Sequence, residues 1–192
     1  MTSSRRQFLK QAAASFAGTL FLSACSRKSK SRWRFFTEDE AVLVDMLTEQ
    51  IIPTDEHPGA IEAGCLNFID KQLSSEYERF QDEYRNGLVC LESTCQEAFA
   101  KSFRDLAWQE QTAVLESLES GQVNSALWPT VSPQYFFHLV RDHTLQGFYG
   151  SPRHGGNKNY LSYKMLELDY PHIIGQNRYT QGMDKPNGWI EQ

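Results

Sequence analysis

The chain has 192 residues, 40% hydrophobic and 22% charged, with 19 Lys+Arg, 24 Asp+Glu and a formal net charge of −5. All 24 acidic residues follow residue 34 and eight basic ones lie within residues 1–34, so the body from Phe35 onward carries 11 Lys+Arg and a charge near −13. That balance disfavours nucleic acid as a partner, and the roughly 155 residues after the basic stretch suffice for one domain with one core.

The first predicted element is an export signal. In "SSRRQFLKQAAASFAGTLFLSAC", Arg5 and Arg6 precede Phe8, Leu9 and Lys10 and a modest apolar run from Ala12 to Leu22, the order of a twin-arginine signal. The run is about half the roughly 20 apolar residues that a membrane span needs, so cleavage is favoured over a retained anchor. Leu22-Ser23-Ala24-Cys25 has lipobox order. This assigns residues 1–24 to the signal and makes Cys25 the lipidated first residue of the mature chain, against the plainer reading that Cys25 only ends the run. The expected location is the periplasm, at a membrane. Residues 25–34 contain Arg27, Lys28, Lys30, Arg32 and Arg34 with little apolar but Trp33, and are expected to form a basic tether. Its charge suits anionic head groups as well as it suits a solvated linker.

Residues 35–168 are predicted to form an all-α domain of five to six helices, and 169–192 an irregular tail rich in Gly, Asn and Pro. Thr37-Glu38-Asp39-Glu40 is a capping box, and Leu43, Met46, Leu47 and Ile51 follow at helical spacing until Pro53. After a turn at Pro58-Gly59, a helix from Ala60 to about Leu73 would bury Ile61, Cys65, Phe68 and Ile69. Tyr77, Phe80, Tyr84, Leu88, Leu91, Cys95 and Phe99 then mark a long helix that Gly87 is expected to loosen. A fourth helix in "LAWQEQTAVLESLESG" stops at Gly121. Ser132-Pro133 opens a fifth, with Tyr135, Phe136, Leu139, Val140 and His143 on one face, and a short helix follows near Tyr160 to Leu166.

Export places Cys65, Cys90 and Cys95 in an oxidising space, which makes them candidates for a disulfide. Cys90 and Cys95 fall on different faces of one helix, so a bridge from Cys65 to one of them is the favoured pairing, with three buried unbonded thiols as the alternative. No C-x-x-C or C-x-x-C-H occurs, which removes the simplest support for structural zinc, thioredoxin-like chemistry or covalent haem.

A twin-arginine route carries folded proteins, often loaded with a cofactor, yet no cofactor motif follows. "GFYGSPRHGGNKN" matches neither nucleotide-binding fingerprint and lacks a preceding strand. No two histidines stand at i and i+4, and no G-x-S-x-G occurs. His143 beside Asp142 reads as a hydrogen-bonded core residue before a base; with His154 these are the least implausible residues for an enzyme in its own right. No catalytic, cofactor-binding or metal residues are therefore assigned, and an accessory role is expected. Phe148, Tyr149, Arg153, Asn157, Tyr160 and Tyr163 form a candidate partner interface. The same loop could equally fold back on its own helices, with Asn157 capping the next one.

At this loop the sequence resembles the gluconate 2-dehydrogenase subunit 3 family. The resemblance runs from about Phe35 to about Leu166 and rests on Ile-Ile-Pro, Pro-Gly-Ala, an aromatic middle helix and Gly-Phe-Tyr with the following Pro and Gly-Gly-Asn. It implies a small subunit paired with a large FAD-dependent sugar or sugar-acid dehydrogenase, with a c-type cytochrome as a possible third subunit. It also implies that the signal exports the folded, FAD-loaded partner, so that no cofactor is expected in this chain. An independent periplasmic lipoprotein that binds some other partner is the alternative from a different class.

Overall fold

The computed structural model describes residues 31–168. The signal residues Arg5, Arg6, Phe8 and Leu9, the lipidation candidate Cys25 and the tail 169–192 lie outside them. Among the described residues the fold is all-α, with seven helices and no strand.

Helix α1 (Glu38–Ile51) begins at the capping box: Thr37 Oγ1 accepts from the Glu40 amide while Glu40 Oε2 accepts from the Thr37 amide at 2.8 Å. Its apolar stripe buries Leu43, Val44 and Leu47. The expected helix from Ala60 to Leu73 is two helices, α2 (Ala60–Ala63) and α3 (Cys65–Leu73), because Gly64 between them adopts a left-handed conformation with φ 76°. Only glycine takes that φ without steric cost. The break raises the helix number above the expected five to six and turns Ile61 outward, 48% exposed where burial was expected, while Cys65, Phe68 and Ile69 stay inside.

Helix α4 (Gln81–Phe99) starts after a 3-10 turn at Glu78–Phe80, later than the spacing from Tyr77 suggests. Helix α5 (Trp108–Ser120) is stopped by Gly121 at φ 72°. Helix α6 (Pro133–Tyr149) opens with Ser132 Oγ accepting from the Tyr135 amide at 3.1 Å and Pro133 in the first turn. Its inner face carries Phe136, Leu139, Val140 and His143, but Tyr135 is exposed. A loop with 3-10 turns at Pro152–His154 and Lys158–Tyr160 leads to α7 (Leu161–Met165).

The main core joins α1, α3, α4, α5 and α6 through Leu47, Ile69, Tyr84, Leu91, Leu118 and Phe136. Gly87 does not loosen α4. It admits the Phe136 ring of α6, which lies where a β-carbon on Gly87 would be, 2.1 Å from it. A second, smaller cluster contains Ala60, Ala63, Cys65 and Phe148, with Ile52, Leu161 and Met165 packed against it.

Among the described residues, Cys65, Cys90 and Cys95 are free and buried. Cys65 belongs to the small cluster, whereas Cys90 and Cys95 belong to the main core, so the favoured bridge from Cys65 is not formed. Burial, with Asp45 and Glu49 nearby, pushes the Cys65 thiol up to about 12. Burial next to Glu92 does the same for Cys95.

The ordered body also begins before Phe35. Asp70, fully buried on α3, accepts the backbone amides of Arg34, Phe35 and Phe36 at 2.9, 2.9 and 3.2 Å. The Arg34 guanidinium completes the set at 3.3 Å. The last residues of the expected tether are thus held by the domain, and Trp33 packs partly against the main core.

Candidate functional site

The glycine-rich loop is held by close contacts with α6 and α3. Gly147 of α6 lies against α3, where a β-carbon on it would meet Phe68 and the Cys65 Cα at 3.2–3.3 Å. Gly156 lies against the backbone of Gly147. Asn157, fully buried at φ 43°, then ties the loop at both ends: its Nδ2 donates to the Gly150 carbonyl at 2.8 Å and its Oδ1 accepts from the Ser162 amide at 2.9 Å. From α3, Asn67 Nδ2 donates to the Gly155 carbonyl at 2.7 Å and Lys71 Nζ to the Arg153 carbonyl at 2.8 Å. An asparagine tolerates the left-handed region because its short amide bonds locally, which is its use here.

Two stretches near each other in sequence, 51–53 and 58–60, meet a third at 147–149 in this place. Ile52 follows Ile51 and precedes Pro53; Gly59 presses on Ile52, Pro53 and Thr54, with a β-carbon there coming within 2.5–2.7 Å of their backbone. The Ala60 amide donates to the Ile52 carbonyl at 2.9 Å. Ala60 and Phe148 share the small cluster with Leu161. Ile-Ile-Pro, Pro-Gly-Ala and Gly-Phe-Tyr therefore specify one packing arrangement.

The candidate interface residues divide into two groups. Phe148 is 1% exposed and Asn157 fully buried, so both hold the loop to its own helices and leave no side-chain surface for a partner. Tyr149 at 48% and Arg153 are exposed, and Tyr160 and Tyr163 are half-buried with ring centroids 6.1 Å apart. Tyr160 has φ 59°, and Asn159 before it φ 58°. A non-glycine residue held at positive φ costs roughly 1–2 kcal/mol, so the surrounding contacts enforce this turn. Two adjoining open clefts of about 490 and 590 Å³ flank it, sharing Glu62, Lys158 and Asn159.

His143 sits elsewhere, in the main core. Its ring stacks on Tyr77 at 4.6 Å between centroids, and Nδ1 is hydrogen-bonded to the Tyr84 hydroxyl at 3.1 Å. Burial lowers its pKa to about 4, against a smaller opposing effect of Asp142. Asp142 itself accepts from Arg141 at the surface. The histidine is a neutral, hydrogen-bonded packing residue, as its place on an apolar helix face suggested. His154, half-buried beside Arg153 and Lys71, is lowered first by desolvation and then by those two cations. Among the described residues, no three His, Cys, Asp or Glu are grouped to hold a metal, and no helix is long and apolar enough to cross a membrane.

Sequence reading missed Asp70. Its signal was present: Leu66, Ile69, Asp70 and Leu73 fall on one helical stripe, and a carboxylate on such a stripe requires buried donors.

A family model described as gluconate 2-dehydrogenase subunit 3 matches residues 38–169. No curated protein and no solved structure matches the chain.

Proposed function

The chain belongs to the gluconate 2-dehydrogenase subunit 3 family, and on that premise we propose that it is the non-catalytic small subunit of a membrane-associated, FAD-dependent sugar or sugar-acid dehydrogenase. In this reading it assists folding of the large flavoprotein subunit and carries it, with FAD bound, through the twin-arginine route. Acylation of Cys25 then keeps the complex at the periplasmic side of a membrane, with a c-type cytochrome as a further subunit.

The observation that carries the reading is the family match over 38–169 on the same chain that begins with Arg5 and Arg6. Co-export requires an interface that exists before translocation. A helical body whose loop is fixed from within by Gly147, Gly156 and Asn157 is suited to that, because it loses little conformational freedom on docking. Of the candidate interface residues, Tyr149 and Arg153 are exposed at this loop and Tyr160 and Tyr163 half-buried.

The test is gentle affinity purification of the full chain from its native host, with the visible spectrum and the masses of co-purifying chains recorded. A flavin spectrum travelling with a large second polypeptide is expected. A colourless single chain from cells actively oxidising sugars would favour the independent lipoprotein. Replacing both Arg5 and Arg6 by Lys is expected to stop export of both proteins, and continued export would overturn the route.

A further inference from the structure

Helix α6 is apolar on two faces. Phe136, Leu139, Val140 and His143 lie in the core, while Tyr135, Leu145 and Tyr149 are exposed. With the half-buried His138 and with Asp142, the exposed three recur at intervals of three and four residues. They therefore form one line along the helix, about 21 Å long at a rise of 1.5 Å per residue. On the other helices an exposed large apolar side chain stands alone: Val42 on α1, Ile61 on α2, Val89 on α4 and Trp108 on α5. Apolar side chains exposed singly are ordinary on a globular surface, whereas a line of them is the pattern of a surface that another molecule covers.

The distribution of charge agrees. Helices α1, α4 and α5 are each net acidic, as the body is, whereas the 17 residues of α6 include only Arg141 and Asp142. These two pair with each other at 2.9 Å, so the line carries no net charge on a body near −13. A helix apolar on its inner and its outer face is suited to burial within a larger assembly. Depletion of charge together with exposed tyrosine is the composition of the centre of a protein interface. The family model for a dehydrogenase subunit spans the whole of α6.

We propose that the outer line of α6, from Tyr135 to Tyr149, is the face on which the large flavoprotein subunit docks, through an apolar, uncharged patch of its own. The inference rests on the small-subunit reading above and supplies the surface which that reading requires. Tyr149 ends the line where the glycine-rich loop begins, so the face is continuous with the exposed part of that loop. The inner side of α6 is fixed in the core, so the line is presented to a partner without further ordering of the backbone.

The full chain is affinity-purified from its native host as wild type, as Leu145→Arg with Tyr149→Arg, and as the control Val89→Arg. Flavin absorbance and the mass of the large chain are recorded per mole of bait. The α6 pair is expected to lose the flavoprotein at least about tenfold, and Val89→Arg to keep it. Tyr149→Ser, a milder change at an exposed position, repeats the measurement if the pair does not fold. An α6 pair that keeps the flavoprotein, or a loss no greater than that of Val89→Arg, would overturn the face and leave the small-subunit reading standing. A wild type that brings no flavoprotein would overturn that reading and the occupant with it. Self-association of the wild type, or its binding to phospholipid vesicles, that the α6 pair abolishes would give the face to a second copy or to lipid and overturn the proposal.

Discussion

Gly156 rests on Gly147 with no room for a side chain: a β-carbon on Gly156 would lie 2.1 Å from the Gly147 carbonyl oxygen and 2.9 Å from its Cα. The obstacle is backbone of α6, which cannot rotate aside. Gly156→Ala is therefore expected to destabilise the protein by about 2–4 kcal/mol. Gly147→Ala meets its neighbours at 3.2–3.3 Å and gains helix propensity of roughly 1 kcal/mol, so its net effect is expected within about 1 kcal/mol of zero. Urea midpoints of the two variants check the order, and equal midpoints would refute the account of the loop.

At Gly87 the obstacle is a side chain. The Phe136 ring, 1% exposed, would stand 2.1 Å from an added β-carbon. Gly87→Ala is expected to cost about 1–2 kcal/mol, the overpacking exceeding the propensity gain. Phe136→Ala removes the ring and with it the clash, so the double variant is expected to be no less stable than Phe136→Ala alone. Simple additivity in that cycle would show that the two positions do not touch.

These glycines show where sequence reading reaches its limit. The helical stripes, the capping box at Thr37 and the Ser132-Pro133 start are local, and periodicity and capping chemistry revealed them in advance. Gly64 and Gly87 carry no local mark that separates a helix break from a helix contact. Gly64 ends one helix because its φ is 76°, whereas Gly87 stays helical because a ring from α6 needs the space. The loop is different: "GFYGSPRHGGNKN" reads by composition equally as a partner interface or as a fold-back capped by Asn157, and Phe148 turns inward through Ala60, Ala63 and Cys65, far away in the chain, while Asn157 does so through Gly150 and Ser162 nearby. Tyr149 and Arg153 differ from them only in which side of α6 and of the turn they occupy.

Asp70 gives the third prediction. Asparagine at this position has one acceptor oxygen where the carboxylate has two, and its amide would face backbone donors of Arg34, Phe35 or Phe36. Asp70→Asn is expected to cost about 2–4 kcal/mol and to expose the chain near Arg32 and Arg34 to trypsin. Arg34→Ala keeps the backbone bonds and removes only a half-exposed cation, so a loss under about 1 kcal/mol is expected. A trypsin-resistant, fully stable Asp70→Asn variant would mean that the clamp does not hold the N-terminal segment.

His143 makes stability fall in mild acid. Its pKa is lowered to about 4 in the folded protein, against roughly 6.5 in an unfolded chain, so between those values the unfolded state binds a proton that the native state refuses. Stability from this group is complete above about pH 6.5 and is lost as the pH falls toward 4, by up to roughly 3 kcal/mol. His143→Gln keeps an acceptor for the Tyr84 hydroxyl but has no proton to take up, so its urea midpoint is expected to decline less steeply over that window. Tyr84→Phe instead removes the hydrogen bond and leaves the imidazole, lowering stability by about 1–2 kcal/mol at pH 7 while keeping most of the acid slope. Glu40 also contributes an acid loss, since burial raises its pKa but the bonds from Arg85 and the Thr37 cap together outweigh that and lower it; that loss is common to all three proteins and cancels between them. Parallel profiles for the wild type and His143→Gln would place the acid sensitivity elsewhere than in the buried imidazole.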